Sequence, residues 1–220
     1  MDNLRSHADV VKYWTGARVP YMFGSVSSVV QSVFEAAISD FERDTCIRFV
    51  PRTTERNYIY VVSEGDGQSS HSLSVSRCWS AIGKSLGRQK LSLGRGCESK
   101  GIVIHELMHA LGFFHEQSRH DRDNYVTIYW GNIKPGMQLN FQKYPHGQVD
   151  TLNEPYDYAS IMHYPQFAFS RNGQKTIAPI RLGVIIIGQR QGLSKVNIQQ
   201  INKLYKCSGG GGPIRPPVGK

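Results

Sequence analysis

The chain has 220 residues, of which 40% are hydrophobic and 20% charged, and this balance excludes an intrinsically disordered protein. The longest apolar runs, such as residues 184–187, are far too short to cross a bilayer, so no membrane-spanning helix is expected. The net charge is +9, but lysine and arginine are spread along the sequence, which argues against a nucleic-acid partner. Two alternatives stay open: the basic surface attracts acidic or matrix proteins, or it is only solvated.

The first 93 residues have the pattern of short strands around one amphipathic helix. We predict strands over residues 18–23, 47–50 and 57–62, each rich in β-branched or aromatic side chains. Apolar residues recur with the helical period from residue 27 to about 44, which predicts a helix packed against the sheet. Residues 63–72 are rich in glycine and serine and indicate a loop, after which strands are expected at 78–82 and 90–93.

The N-terminus and the cysteines indicate whether the protein is a mature form and whether its environment is oxidising. Residues 1–20 include Asp2, Arg5 and Lys12 and contain no apolar core of a secretion signal, so we expect a mature form rather than a precursor. The four cysteines include no C-x-x-C arrangement, which favours two disulfides in an oxidising compartment over a zinc knuckle. From the residues alone, three pairings remain open.

A predicted helix that ends by Gly112 carries the residues of a metal site. His105 and His109 are one helical turn apart, so their imidazoles project from one face. Gly112 accepts the left-handed conformation that ends a helix, and the reversed chain then brings His115 back as a third ligand. Three protein ligands leave a fourth position for water, and Glu106 lies where its carboxylate can reach that water. The sequence therefore predicts one catalytic zinc ion. Residues 105–115 also resemble the signature of the metzincin proteases.

Two segments downstream of the third histidine resemble the astacin family of zinc endopeptidases. Residues 116–123 follow the pattern Glu-x-x-Arg-x-Asp-Arg-Asp, and residues 160–164 read Ser-Ile-Met-His-Tyr. The resemblance covers residues 14–207 and implies an α+β, zincin-like catalytic domain of two lobes over residues 1–207. The upper lobe, to about residue 112, would hold a mixed sheet and two long helices. The lower lobe, about 113–207, would be mostly irregular and end in a helix at 194–205, before a flexible Gly/Pro-rich tail at 208–220.

The resemblance also assigns roles to single residues. It makes Glu106 the general base and Tyr164 a resting zinc ligand that later hydrogen-bonds the oxyanion. It places Met162 beneath the metal ligands, and it makes Glu116 a buried carboxylate that contacts the mature N-terminus, near residues 3–5, through water. It favours the disulfides Cys46–Cys207 and Cys78–Cys97. Five further histidines are not expected to bind the metal, namely His7, His71, His120, His146 and His163.

Residues of the substrate cleft follow from the same resemblance. An extended substrate is expected along residues 78–82, which include Trp79, Ser80 and Ala81. Arg181 and Arg190 flank the apolar run 184–187, in the region where astacins build the pocket for the substrate residue just after the cut bond. We therefore predict that this substrate residue is preferably acidic. The alternative is that both arginines are solvated loop residues. The run Asp121, Arg122 and Asp123 is either a solvated charge cluster or a brace around the metal site.

These observations predict a secreted, monomeric zinc endopeptidase that acts on proteins or peptides. A related metzincin with another specificity is one alternative, and the residues at positions 116 and 164 argue against it. A catalytically inactive binding module on the same fold is the other. Such a module should have lost the general base or a zinc ligand, yet all four residues are intact.

Overall fold

The computed structural model describes residues 11–64, 78–145, 149–184 and 186–207. The expected N-terminal contact, most of the loop at 63–72 and the tail at 208–220 lie outside these residues. The strands and helices in chain order are β1 (Arg18–Phe23), α1 (Ser28–Asp44), β2 (Arg48–Pro51), β3 (Tyr58–Val62), β4 (Cys78–Ser80), β5 (Arg88–Leu93), α2 (Lys100–Ala110), β6 (Val126–Ile128), β7 (Ile177–Pro179) and α3 (Lys195–Leu204). Each strand and helix predicted above is confirmed to within two residues at either end.

Five strands form the main sheet, in the order β2-β1-β3-β5-β4. The pairs β1–β2, β1–β3 and β3–β5 are parallel, and β4 runs antiparallel to β5 at the edge of the sheet. The predicted strand at 78–82 ends at Ser80, so β4 has only three residues. Among the described residues, no strand pairs with the other side of β4, and its backbone there can accept a further pairing.

Helices α1 and α2 pack against the same face of the sheet. The side chain of Ser27 accepts a hydrogen bond from the Val30 amide and so begins α1. Phe34 and Phe41 of α1 are fully buried and join the core together with Ile59 and Leu91 of the sheet. Nine of the eleven residues of α2 are buried, which identifies it as a central helix rather than an amphipathic surface helix.

The lower lobe contains a small sheet that the sequence did not predict. Strands β6 and β7 pair in antiparallel register, and each has only three residues, too few for alternation to be recognised in sequence. A second buried cluster lies here, with Phe141, Tyr156 and Ile177 among its members. Most of the remaining chain consists of turns and short 3₁₀ segments, as expected for this lobe.

Two disulfides connect distant parts of the chain. Cys46 is bonded to Cys207, 161 residues away, and Cys78 to Cys97, 19 residues away. The long bridge joins the end of α1 to the residues after α3 and is expected to contribute several kcal/mol to the free energy of unfolding, about 3–5 kcal/mol. Within the described residues, no helix combines the length and apolar character needed to span a membrane.

Candidate metal centre

Helix α2 is held at both ends by direct backbone contacts. The Ser99 carbonyl accepts hydrogen bonds from the amides of Ile102 and Val103. A methyl group on Gly101 would lie 1.8 Å from the Arg190 carbonyl oxygen, so the backbone at residue 190 packs directly against the helix. Any larger residue at position 101 would therefore push these two segments apart.

Three separate segments satisfy the carbonyls at the C-terminal end of α2. The Gly83 amide donates to the His109 carbonyl (2.8 Å), the Trp14 indole to the Ala110 carbonyl (2.9 Å) and the Tyr205 hydroxyl to the Leu111 carbonyl (2.9 Å). A helix end leaves such carbonyls without intrahelical partners, and these contacts replace solvent there. The helix that carries two of the histidines is therefore fixed in place from several sides.

The chain reverses at Gly112 and returns the third histidine. Gly112 has φ +108°, a conformation that favours glycine, and the Phe113 amide donates to the Met108 carbonyl. His115 therefore lies next to the two histidines of α2. Its Nε2 lies 3.2 Å from Nε2 of His105 and 3.2 Å from Nε2 of His109.

The opposite ring nitrogens determine which tautomer is present. Nδ1 of His105 lies 2.8 Å from the Ile161 carbonyl oxygen, and Nδ1 of His109 lies 2.8 Å from the Phe113 carbonyl oxygen. Because a carbonyl only accepts, each Nδ1 carries the proton and each Nε2 presents a lone pair. Burial, together with the neighbouring imidazoles, lowers the pKa of His105 and His115 well below the usual range and keeps these rings neutral.

These donors fit one zinc ion. Tetrahedral zinc with Zn–N bonds near 2.0–2.1 Å requires nitrogens about 3.3 Å apart. The Nε2 atom of His115 has about this spacing, 3.2 Å, to the Nε2 atoms of both other histidines. The candidate ligand atoms of His105, His109 and His115 all lie within 4.8 Å of one another. Three neutral imidazoles are the ligand set of many catalytic zinc sites, with the fourth position left for water or substrate.

Glu106 and Tyr164 lie beside this triad. Glu106 is 5% exposed and follows the first ligand in α2. The ring centroid of Tyr164 lies 4.6 Å from that of His115, and the aromatic rings of Phe141 and Phe169 pack on the same tyrosine at 5.7 Å each. The Tyr164 ring is therefore set against a ligand by packing, with its phenol group as the chemically active end.

The methionine turn, residues 160–164, is hydrogen-bonded along its whole length. The Ile161 amide donates to Oδ1 of Asn197 (3.0 Å), and the Tyr164 amide donates to Oε1 of Gln117 (3.0 Å). Met162 is 1% exposed and belongs to the same buried cluster as α2. The backbone of Ile161 thus connects the N-terminus of α3, through its amide, to the first ligand, His105, through its carbonyl.

Asn197 and Gln117 are positioning residues that the sequence did not reveal. Asn197 is fully buried, and its side chain accepts from the Ser194 and Ile161 amides and donates to Oγ of Ser160. The only sequence signal was the Ser-x-x-Asn spacing of a helix start, which says nothing about a contact 36 residues away. Gln117 follows the third ligand by two residues and gave no signal.

We expect replacement of Asn197 by leucine to lower zinc affinity by about 10–100-fold. The Ile161 amide would lose its acceptor, and the adjoining Ile161 carbonyl, which orients His105, would no longer be held in place. Competition with a chromophoric chelator measures the affinity. Asn197→Asp keeps an acceptor oxygen and should bind zinc nearly as the parent does. Ser194→Ala removes the helix cap but not the Ile161 contact, so an equal loss in that variant would contradict the role given to Asn197.

Glu116 lies in a buried pair rather than at the surface. Its Oε1 accepts from the Asp157 amide (2.8 Å) and from Nη1 of Arg119 (3.1 Å), and burial raises its pKa to about 7. It also lines a cavity with Val11 and Tyr13, close to the first described residues of the chain. The expected contact with the N-terminus itself falls outside the described residues.

The acidic and basic residues after Glu116 brace the lower lobe. Arg119 pairs with Asp121, and Arg122 pairs with Asp123 and donates to the carbonyls of Gln117 and Phe141. Both arginines are 5% exposed or less, so the run is not simply a solvated cluster. Among the described histidines outside the triad, His163 is buried and hydrogen-bonds the Tyr156 hydroxyl.

The two arginines expected in the substrate pocket have different surroundings. Arg181 lies in an exposed turn. Arg190 is part-buried, and its Nη1 donates to the carbonyls of Ile161 and His163 (3.0 and 3.2 Å). Burial lowers the pKa of Arg190, and the nearby Glu106 carboxylate opposes this effect. Only Arg190 therefore lies beside the metal centre.

A family model for the astacin peptidases matches residues 6–206. The chain belongs to the astacin family. This astacin is 47% identical over 199 residues to zinc metalloproteinase nas-15 of Caenorhabditis elegans, an alignment that covers 90% of the chain and 33% of the relative. It is 45% identical over 192 residues to high choriolytic enzyme 1 of Oryzias latipes, covering 86% and 66%.

Solved structures agree with this assignment. The medaka enzyme, described as a hatching enzyme zinc-protease, has a TM-score of 0.78 to this astacin at 44% identity, covering 90% of this chain and 94% of that one. Myroilysin, at 20% identity and a TM-score of 0.56, covers 88% of this chain and 95% of its own and shares the fold alone. The predicted α+β, two-lobe metzincin fold is thereby confirmed. The chain spans 33%, 41% and 61% of the lengths of three nematode relatives it matches.

Proposed function

We propose that this astacin is the catalytic domain, over residues 1–207, of a secreted zinc endopeptidase that hydrolyses peptide bonds within proteins. The observation that carries the proposal is the clustering of three histidine ligand atoms within 4.8 Å of one another, beside the buried carboxylate of Glu106. The two lobes, divided near residue 112, would flank the cleft. The residues after 207 would form a tail.

Each side chain has a distinct task in this reaction. His105, His109 and His115 would hold zinc, which polarises the peptide carbonyl and lowers the pKa of water when bound. Glu106 accepts the proton of the attacking water and later delivers it to the departing amine. The Tyr164 hydroxyl donates a hydrogen bond to the oxyanion as the tetrahedral intermediate forms. Met162 supports the ligands from below without binding metal.

The substrate would bind in extended form along the outer edge of β4, next to Trp79, Ser80 and Ala81. Support comes from the position of β4 at the end of the sheet and from the Gly83 amide, which joins the following loop to the His109 carbonyl. Backbone pairing of this kind supplies affinity without demanding a particular sequence.

We expect Ala81→Pro to raise KM for peptide substrates several-fold, since proline removes a backbone donor at this edge. Ala81→Ser keeps the N–H group and serves as the matched control. Steady-state kinetics with a quenched fluorescent peptide measures both variants. Unchanged KM in the proline variant would mean that the substrate binds elsewhere.

Arg190 would select an acidic residue just after the cut bond. Its Nη1 is engaged with backbone carbonyls, whereas Nε and Nη2 have no hydrogen-bond partner within the described residues. A guanidinium edge of this kind can bind a carboxylate through two parallel hydrogen bonds. Arg181, in its exposed turn, remains the weaker candidate for the same pocket.

Cleavage of a denatured proteome should therefore show enrichment of Asp and Glu after the cut. We expect the enrichment to disappear in Arg190→Ala and to persist in Arg181→Ala. Sequencing the products of all three proteins gives the comparison. A preference that is apolar or featureless in the parent protein would rule out this pocket.

The disulfides and the net charge support a proposal for the localisation and the partners of the enzyme. Two disulfides fit a secreted, extracellular protein. A net charge of +9 favours acidic or matrix proteins as substrates, and we propose a monomer. Glu116, with its cavity beside residues 11–13, would receive the mature N-terminus through water.

Removal and return of the metal tests the proposed function. Phenanthroline should abolish hydrolysis of casein, and added zinc should restore it. Hydrolysis that survives full removal of zinc would overturn the proposal. A protein that binds one zinc per chain and cleaves neither casein nor gelatin would instead be the inactive binding module.

A further inference from the structure

Phe169 has a backbone conformation that is unusual for an aromatic residue. Its φ is +53°, in the left-handed region. Phe169 is the third residue of a turn in which the Ser170 amide donates to the Phe167 carbonyl (3.1 Å), and a positive φ at this place favours glycine or asparagine. The Cβ atom of any other residue crowds the backbone there, so phenylalanine at this position carries a steric cost.

Two other segments of the lower lobe hold this turn in place. The Lys134 amide donates to the Phe169 carbonyl (2.9 Å). The hydroxyl of Thr176, a fully buried residue, donates to the Ala168 carbonyl (2.7 Å). These contacts fix the backbone on both sides of the Phe169 side chain. A strained conformation persists when the surrounding structure fixes the backbone in this way.

The conformation of Phe169 places its ring against Tyr164. The ring centroids of Phe169 and Tyr164 are 5.7 Å apart, and those of Phe169 and Phe141 are 6.2 Å apart. Phe141 is fully buried, and its ring centroid lies 5.7 Å from that of Tyr164. The Tyr164 ring therefore has two aromatic neighbours from separate segments, in addition to His115.

Hydrophobic burial accounts for only part of the presence of an aromatic side chain at residue 169. Phe169 is 37% exposed, so its ring contributes less to the free energy of unfolding than a core phenylalanine does. An aromatic side chain is thus kept in a costly conformation beside a tyrosine that is proposed to act in catalysis. Backbone strain of this kind clusters at functional sites, where it holds a group in the position that the reaction needs.

We propose that Phe169 is a positioning residue for Tyr164. Its ring restricts the Tyr164 side chain to positions from which the hydroxyl can donate to the oxyanion. A donor that is already oriented when the oxyanion forms stabilises it more than a donor that must first be ordered. The inference rests on the proposed oxyanion role of Tyr164 and adds a residue that acts through that side chain.

Steady-state kinetics of the zinc-bound full chain with a quenched fluorescent peptide is the first test. We expect Phe169→Gly and Phe169→Asn to lower kcat about tenfold with little change in KM. Both replacements accept the left-handed conformation, so they remove the ring without straining the turn. Phe169→Tyr keeps a ring at this position and should retain kcat within a few-fold of the parent. Thermal unfolding of each variant shows that it is folded.

Two further variants control for effects other than loss of this ring. Phe167→Ala removes a more exposed ring, 54% exposed, from the same turn. Lys206→Gly places glycine at an exposed residue after α3 that has the same φ, +53°. Both should keep the parent kcat. An equal loss of kcat in either control would assign the effect to the turn or to backbone freedom and would overturn the proposal.

Combination with Tyr164→Phe tests whether Phe169 acts through the hydroxyl. We expect Phe169→Gly to have no further effect on kcat once the hydroxyl is absent, because the two groups act as one unit. The same loss of kcat in both backgrounds would give Phe169 a general structural role. A rise in KM in both backgrounds would make its ring part of a substrate pocket. Either result would overturn the proposal.

Fluorine NMR of the zinc-free full chain gives a measurement that does not depend on activity. With fluorotyrosine in place of tyrosine, the Tyr164 signal is the one that is lost in Tyr164→Phe. We expect this signal to broaden in Phe169→Gly, because a side chain without its restraint exchanges between positions, and to keep the parent linewidth in Phe167→Ala. An unchanged linewidth in Phe169→Gly would contradict the positioning role.

The outcomes separate this inference from the proposed function. If the parent cleaves peptides and Tyr164→Phe lowers kcat while Phe169→Gly does not, the positioning role alone is wrong. If Tyr164→Phe keeps the parent kcat, the oxyanion role is wrong and the positioning role with it. If the zinc-bound parent cleaves no peptide, the proposed function is wrong.

Discussion

Replacement of Glu106 by alanine is expected to reduce kcat/KM for peptide hydrolysis by about 10²–10⁴-fold, while the chain still binds one zinc ion. Glu106 lies between His105 and His109 in the sequence and is buried in α2. It is not one of the three candidate metal ligands. Its loss therefore removes a proton acceptor and donor and leaves the ligand set complete.

Hydrolysis of a quenched fluorescent peptide measures the effect, and metal analysis of the purified variant measures zinc content. Glu98→Ala removes an exposed carboxylate just before the same helix and should keep the parent rate. If Glu106→Ala cleaved at nearly the parent rate with zinc bound, another group would have to carry the proton. If zinc content fell, Glu106 would have a role in metal binding.

Replacement of Tyr164 by phenylalanine is expected to lower kcat by about 10²–10³-fold, with little change in KM. Packing against His115, Phe141 and Phe169 depends on the ring, which phenylalanine retains. The variant thus loses only a hydroxyl, and a single oxyanion donor contributes about 2.7–4 kcal/mol to the transition state. An interaction made only in the transition state appears in kcat rather than in KM.

Tyr158→Phe is the matched control, because the Tyr158 hydroxyl donates to the Tyr125 carbonyl in the same lobe. It should leave kcat within a few-fold of the parent. A rise in KM with kcat unchanged in Tyr164→Phe would assign the hydroxyl to substrate binding instead. The same kcat in all three proteins would exclude any oxyanion role.

Local order along the chain could be read from the sequence, since it depends on neighbouring residues. The period of apolar residues gave the bounds of α1 to within one residue. The i, i+4 spacing of His105 and His109 requires only that the segment be helical. Gly112 was recognisable as the end of α2 because few other residues adopt φ near +108°.

Contacts between distant segments depended on the tertiary structure. The residues alone left three pairings of the four cysteines open, and the folded chain has the two that the family resemblance favoured, Cys46–Cys207 and Cys78–Cys97. The link from Asn197 through Ile161 to His105 joins three segments whose separations in sequence leave no periodic signal. Arg181 and Arg190 looked equivalent in the sequence, yet burial and hydrogen bonds to Ile161 and His163 distinguish Arg190.

The sequence by itself therefore determined the chemistry available to this astacin: which side chains can hold zinc, where the helix that carries them ends, and which carboxylate lies beside them. Only the tertiary structure decided how these side chains are oriented. Backbone carbonyls orient the imidazoles of His105 and His109, and the Tyr164 ring packs against His115. The reason is physical. Helical periodicity is a property of adjacent residues, whereas a hydrogen bond across 56 residues exists only once both segments are packed in place.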